Sequence, residues 1–166
     1  MYHRTSTPSA ETAAPVPVRV KRLDPRATLP EYHSELAAGL DLAACLPRGE
    51  IGTGSVVVRP GRIVKIPTGI AMAIPPGYEG QVRPRSGLST RHGLTVPNAP
   101  GTIDADYRGE LFVALINLGG EPFEIRHAMR VAQLVIAPVA HADVIVADEL
   151  DETARGGGGF GSTGGH

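Results

Sequence analysis

The chain is a series of short, β-branched runs cut at near-regular spacing by glycine and proline. Helical periodicity, with apolar residues recurring every third or fourth position, is almost absent, whereas strands need only alternation or a short apolar run. Val16 to Leu23 alternates apolar and polar residues as a half-buried strand does. Ser55 to Arg59 and Arg62 to Ile66 flank Pro60-Gly61, a turn signal, and Thr68 to Ile74 stays apolar until Pro75-Pro76-Gly77 ends it. Glu79 to Arg83 leads into Pro84. Glu110 to Asn117, Glu121 to Arg126, Val131 to Val139 and a last short run, Val144 to Val146, complete the expected strands. One or two helical turns fit only SGLSTRHG, after Arg85 and bounded by Gly93. Short strands at this spacing predict an all-β sandwich, jelly roll or barrel.

A length of 166 residues suits one domain. The 21 glycines and 15 prolines, in a chain that is 42% hydrophobic, point to many turns rather than to disorder. Tryptophan is absent and aromatics are 4%, so valine, isoleucine, leucine and alanine must fill the core. A core that thin is one that oligomerisation could complete. Residues 1–15 read as a flexible arm rich in Ser, Thr, Pro and Ala, residues 16–150 as the β domain, and residues 151–166 as a glycine-rich tail.

Charge and cysteine usage narrow the function. Sixteen basic residues against 17 acidic ones exclude a basic nucleic-acid coat protein, so any anion site is local. No run of about 18 apolar residues exists, so no membrane span is expected. The start, MYHRTSTPSAETAAPVP, lacks the apolar centre of a secretory signal, which makes a cytoplasmic location the expectation. A single cysteine, Cys45, excludes an internal disulfide or a cysteine-based zinc site, and its apolar neighbours favour a buried, inert thiol. The six histidines show no HxH or HExxH pairing, which argues against zinc.

Several segments carry chemistry. Pro84 to Ser89 sits where a strand ends and a short helix begins, so the free amides of Ser86 and Gly87 with the Arg85 guanidinium suit an anion; a capped helix with a surface arginine suits the residues equally. Gly101 to Gly109 sets carboxylates beside an aromatic ring. Asp104 has the chemistry of a general base toward water and Tyr107 offers a flat face to a sugar, while a solvated acidic turn is the alternative. Asn98 can match a pyrimidine edge with one acceptor and two donors, although a turn asparagine is the commoner use. Gln133, within the apolar run VAQLV, faces either solvent or a ligand. Arg155 to Gly164, RGGGGFGSTG, has the composition of a linker, yet its arginine can fork onto phosphate, its ring can stack on a base, and its hydroxyls and amides can donate to oxygens.

Five segments, in order, resemble the five motifs of the trimeric dUTPases: Ala38 to Leu42, Pro84 to Ser89, Gly101 to Gly109, Arg130 to Leu134, and Arg155 to Gly164. The resemblance spans roughly residues 16–164. It implies a jelly-roll-like β-sandwich of the β-clip type, a homotrimer with sites shared between subunits, and a swapped, flexible C-terminal tail acting as a lid. It implies hydrolysis of dUTP to dUMP and pyrophosphate by water attack on the α-phosphorus, with Mg2+ carried mainly by the triphosphate. That reaction supplies dUMP for thymidylate synthesis and keeps uracil out of DNA. Asp104 resembles the residue that orients and deprotonates the water, and Tyr107 the one under deoxyribose. Asn98 is similar to the side chain that reads uracil, with Gly101, Thr102, Ile103 and Phe112 lining the same pocket. Arg85, Ser86, Gly87 and Gln133 would hold phosphates. Arg155 would meet the terminal phosphate, Phe160 would stack on uracil, and Gly161, Ser162 and Thr163 would supply further donors. Asp41 would hold magnesium indirectly, through its waters.

The chain departs from that pattern in two places. Ala128-Met129 stand before Arg130 where the family usually has glycine and an acidic residue, which bears on the connecting turn. The segment PRGEIGTG, residues 47–54, is slightly longer than the usual connection. A dCTP deaminase-like enzyme of the same fold is the runner-up, and a non-catalytic nucleotide sensor is the alternative of a different class. The Asp104–Tyr107 pair and the complete tail motif favour hydrolysis over both.

Overall fold

In the computed structural model, which describes residues 15–47 and 54–158, ten strands and one short helix follow each other along the chain. The strands are β1 (Arg19–Arg22), β2 (Leu40–Ala43), β3 (Ser55–Val58), β4 (Ile63–Ala73), β5 (Tyr78–Pro84), β6 (Leu94–Thr95), β7 (Gly101–Ile103), β8 (Glu110–Asn117), β9 (Phe123–Arg126) and β10 (Arg130–Pro138); helix α1 (Ser86–His92) lies between β5 and β6. They form a four-stranded sheet β1-β4-β8-β6, a second four-stranded sheet β2-β10-β5-β7, and a β3-β9 pair, with antiparallel pairing throughout. The fold is all-β, as expected.

Strand β8 shows how alternation builds the sandwich. Leu111, Val113, Leu115 and Asn117 point inward and are buried, while Glu110, Phe112, Ala114 and Ile116 point outward. One apolar cluster takes Ile66, Ile70 and Val113 from the first sheet, Leu42, Val82 and Leu134 from the second, and Val58 and Ile125 from the small pair. Each such side chain contributes about 1.5–3 kcal/mol on burial, so aliphatic residues alone carry the core. Cys45 lies in the same cluster, and burial pushes its thiol pKa up, as an inert cysteine requires.

Two turns depend on backbone chemistry. Pro67 pairs with Phe112 and Ala71 with Glu110, so β4 bulges between them, at Gly69. There φ is +68°, and a Cβ would stand 2.8 Å from the Cys45 sulfur and 2.9 Å from Ala27 Cβ, so only glycine fits. The Gly69 amide donates to Glu110 Oε1 at 2.9 Å and its carbonyl accepts from Leu23 at 2.8 Å, tying β1 and β8 to one point. The β9–β10 turn holds Ala128-Met129, one of the two departures noted above. Ala128 there has φ +62°, a conformation that glycine adopts more easily, yet the turn still closes through Ala128 N–H to Ala44 O at 2.7 Å.

The structure corrects the strand expectations at the ends of the chain. Val144 to Val146 is not a strand: Val144, Ile145 and Val146 are 87%, 79% and 94% exposed, and no strand among the described residues pairs with them. The first strand shrinks to Arg19–Arg22, where pairing with Ala73–Ile70 of β4 supports it. The runs Arg62 to Ile66 and Thr68 to Ile74 form one strand, β4, which passes through Pro67 with the bulge at Gly69. The helix within SGLSTRHG forms as expected and ends at Gly93 in the left-handed conformation. No helix among the described residues is long and apolar enough to cross a membrane.

Asn117 is fully buried and fully used. Its Nδ2 donates to Val58 O at 2.9 Å and Glu121 O at 2.8 Å, and its Oδ1 accepts from Gly119 N–H at 2.8 Å. It therefore ties the end of β8 to β3 and to the turn before β9. Asn117→Ala leaves those buried groups without partners and should lower stability by about 3 kcal/mol in denaturant unfolding; a loss under about 0.5 kcal/mol would show that the turn does not depend on it.

Candidate functional site

Two groups of side chains gather the residues expected to act. The first lies where β2, β10 and the end of β5 meet. Gln133 of β10 pairs with Asp41 of β2 on one side and Arg83 of β5 on the other, so the polar side chains of this edge share one end of the sheet. Asp41 Oδ1 forms an ion pair with Arg85 Nε at 3.2 Å; Oδ2 accepts from Arg130 Nη1 at 2.9 Å and lies 3.3 Å from His33 Nε2. Arg85 Nη1 also donates to Arg130 O at 3.1 Å. Two guanidiniums against one carboxylate leave a net positive charge, and the carboxylate oxygens keep acceptor capacity beyond the hydrogen bond from Arg130. Gln133 Nε2 donates to Pro84 O at 3.0 Å, and a Cβ on Gly39 would come within 2.8 Å of Gln133 Oε1, so Gly39 makes room for the glutamine.

Ser86 and Gly87 open α1. Arg85 occupies the cap position in an extended conformation with no side-chain cap, so the amides that open the helix have no capping partner, in contrast to the capped-helix alternative. Both residues are exposed, and a Cβ on Gly87 would meet nothing within 4 Å.

The second group is a pocket of about 190 Å³ lined by Lys65, Thr102, Ile103, Asp104, Tyr107, Glu110 and Phe112. Strand β7 sets Gly101 opposite Val82 and Ile103 opposite Gly80. The chain then turns, with Tyr107 N–H donating to Asp104 O at 3.1 Å. Arg108 Nη1 braces the turn through Ala105 O at 2.6 Å and Tyr107 O at 2.8 Å. Tyr107 folds back so that its hydroxyl donates to Glu110 O at 2.8 Å; a Cβ on Gly109 would sit 2.5 Å from that hydroxyl, so glycine there sets the ring's position. Asn98 lies against Gly101 at the start of β7, its Nδ2 at 3.3 Å from where a Cβ of Gly101 would be, and neither residue lines the pocket. Asp104 and Thr102 also line a larger cavity of about 650 Å³ with Glu79, Arg108 and His141, so Asp104 borders both spaces.

The groups stay apart in one chain: no residue of the Asp41 cluster lines the pocket. Arg155 joins neither, its Nε donating to Gly158 O at 2.7 Å within the tail itself. Phe160, Gly161, Ser162 and Thr163 lie outside the described residues, as do residues 48–53 of the longer connection. Sequence reasoning missed Lys65, Glu110 and His33. Lys65 and Glu110 occupy outward positions on strands, where a charge reads as ordinary surface, and His33 precedes the first matched segment. Among the described residues no three His, Cys, Asp or Glu side chains come together to hold a metal.

Comparison with known proteins places this geometry. The family model for dUTPase matches residues 25–164. The deoxyuridine 5'-triphosphate nucleotidohydrolase of Syntrophotalea carbinolica is 58% identical over 149 residues, covering 90% of this chain and 97% of that protein. That of Desulfotalea psychrophila is 60% identical over 137 residues, covering 82% and 87%. Among solved structures, a mutant of the phage 80α dUTPase is similar with a TM-score of 0.77 at 28% identity, covering 88% of this chain and 98% of that one. Another mutant of the Staphylococcus phage 80α enzyme, with dUpNHpp, gives 0.75. With the family model matched over most of the chain and relatives 58% and 60% identical over nearly their whole length, the chain belongs to the dUTPase family.

Proposed function

We propose that the chain hydrolyses dUTP to dUMP and pyrophosphate. The observation that carries the reading is the pocket in which Asp104 and Tyr107 share one wall, beside the Asn98–Gly101 contact. Uracil enters with Asn98 and the backbone of Gly101, Thr102 and Ile103 at its edge and Phe112 at its side. A slot shaped to uracil leaves no room for thymine's methyl group, and mispaired donors reject cytosine. The Tyr107 ring, pinned by its bond to Glu110 O, packs under deoxyribose where a 2′-hydroxyl would clash.

Asp104 holds a water in line with the α-phosphorus. As the water oxygen bonds to phosphorus, its proton passes to the carboxylate and the bond to the bridging oxygen breaks, so pyrophosphate leaves with that electron pair. A carboxylate is a weak base, so orientation of the water contributes more than basicity. Arg85, Ser86, Gly87 and Gln133 hold the phosphates, supported by the excess positive charge around Asp41. Arg155 takes the terminal phosphate, Phe160 stacks on uracil, and Gly161, Ser162 and Thr163 add donors as the tail closes. The family implies magnesium, which when bound neutralises part of the triphosphate's charge. The donor set fits an ion reached through water: Asp41 is already paired with two guanidiniums, and its oxygens keep acceptor capacity for a magnesium-bound water.

Because the phosphate group and the base pocket stay apart within one chain, the complete site forms between copies, in a homotrimer. The product dUMP then serves thymidylate synthesis, and removal of dUTP keeps uracil out of DNA.

Pyrophosphate release from dUTP, UTP, dCTP and dTTP tests the reading: only dUTP should turn over efficiently, and conversion of dCTP to dUTP would instead assign a deaminase. Asp104→Asn should bind dUTP within a few-fold of wild type while kcat falls by about 100-fold or more; a rate near wild type would remove Asp104 as the base.

A further inference from the structure

We propose that Lys65 is a positioning residue for the base end of the pocket, holding the Phe112 ring in place through a cation–π contact. The inference rests on the dUTP reading above. Lys65 pairs with Ala114 across β4 and β8, and Pro67 pairs with Phe112, so lysine and ring are diagonal neighbours on the outward face. The small Ala114 side chain opposite Lys65 leaves space for the lysine stem to lie across the sheet. The ammonium reaches 3.8 Å from the centre of the Phe112 ring. Two carboxylates, Asp104 and Glu110, line the same pocket, yet among the described residues Lys65 makes no ion pair. Glu110 is turned instead toward the Gly69 amide. The lysine charge is thus committed to the ring.

Phe112 is half-buried on an outward strand position, where neighbouring packing alone leaves more than one rotamer open. A cation on one face selects the rotamer in which the other side of the ring serves as pocket wall. A wall kept in place favours base binding in the ground state and the transition state alike, so its loss raises KM and leaves kcat nearly unchanged.

The test is steady-state kinetics of Lys65→Met, which keeps the apolar stem, and Lys65→Arg, which keeps a cation over the ring. For Lys65→Met, KM for dUTP should rise about 3- to 10-fold with kcat within about twofold, and the thermal midpoint should not move. Lys65→Arg should restore KM. Competitive inhibition by 2′-deoxyuridine, which has no phosphate, should weaken by the same factor as KM rises. An unchanged KM in Lys65→Met, a loss confined to kcat, or weaker dUTP binding with unchanged deoxyuridine inhibition would each overturn the proposal, the last by placing the lysine's action on the phosphates. A wild-type protein inert toward dUTP would remove the underlying reading as well, whereas an active wild type with an indifferent Lys65→Met removes this inference alone.

Discussion

The antiparallel pairing of β4 with β8 is the contact on which the rest depends. It runs from Ile63 opposite Ile116 to Ala71 opposite Glu110, with one interruption at Gly69. Its inner face supplies Ile66, Ile70, Leu111, Val113 and Leu115 to the core. Its outer face presents Lys65, Glu110 and Phe112 to the pocket. A shift of one residue in register would exchange those faces and lose both at once. The bulge fixes the register against such a shift: Gly69 binds β8 through Glu110 and the first strand through Leu23, in a space that admits no Cβ. The core and the pocket are therefore two sides of one constraint.

Most of the strand framework was legible in the sequence, for reasons that differ by element. Glu110 to Asn117 declares itself because both periodicity and β-branching agree with its place at the centre of a sheet. Strands β2, β6 and β7 were not legible, since at two to four residues they are too short to show a period, and partners distant in sequence make them strands. Val144 to Val146 misled for the converse reason. Its composition is that of a strand, but a strand needs a partner, and the described residues offer it none. The turn before Arg130 shows a departure that the backbone tolerates, with Ala128 in a conformation suited to glycine.

The candidate site was legible only as a set. Asp104, Tyr107 and Phe112 are ambiguous one by one, and it was the order of five segments that joined them to Arg85 and Gln133. What the sequence withheld was second-order placement. Lys65, Glu110 and Gly109 look like surface and turn residues, yet they hold the ring of Phe112, the hydroxyl of Tyr107 and the backbone around them. Asp41 likewise reads as a lone acid, and its chemistry is decided by Arg85 and Arg130, which come from elements 44 and 89 residues away. Long-range pairing of this kind leaves no local signature.

The separation of the two groups within one chain has a direct consequence for how catalysis is assembled. If copies of the chain supply the base pocket and the phosphate cluster to one another, an inactive pocket and an inactive cluster can be rescued by mixing. Asp104→Asn and Arg85→Ala, each nearly inactive alone, should be unfolded together, refolded as mixed trimers and assayed for pyrophosphate release from dUTP. A site shared between two chains predicts recovery of about a quarter of wild-type activity from random assembly of equal amounts. Mixed trimers that remain as inactive as either parent would contradict the account, because they would place Asp104 and Arg85 at the same site within a single chain.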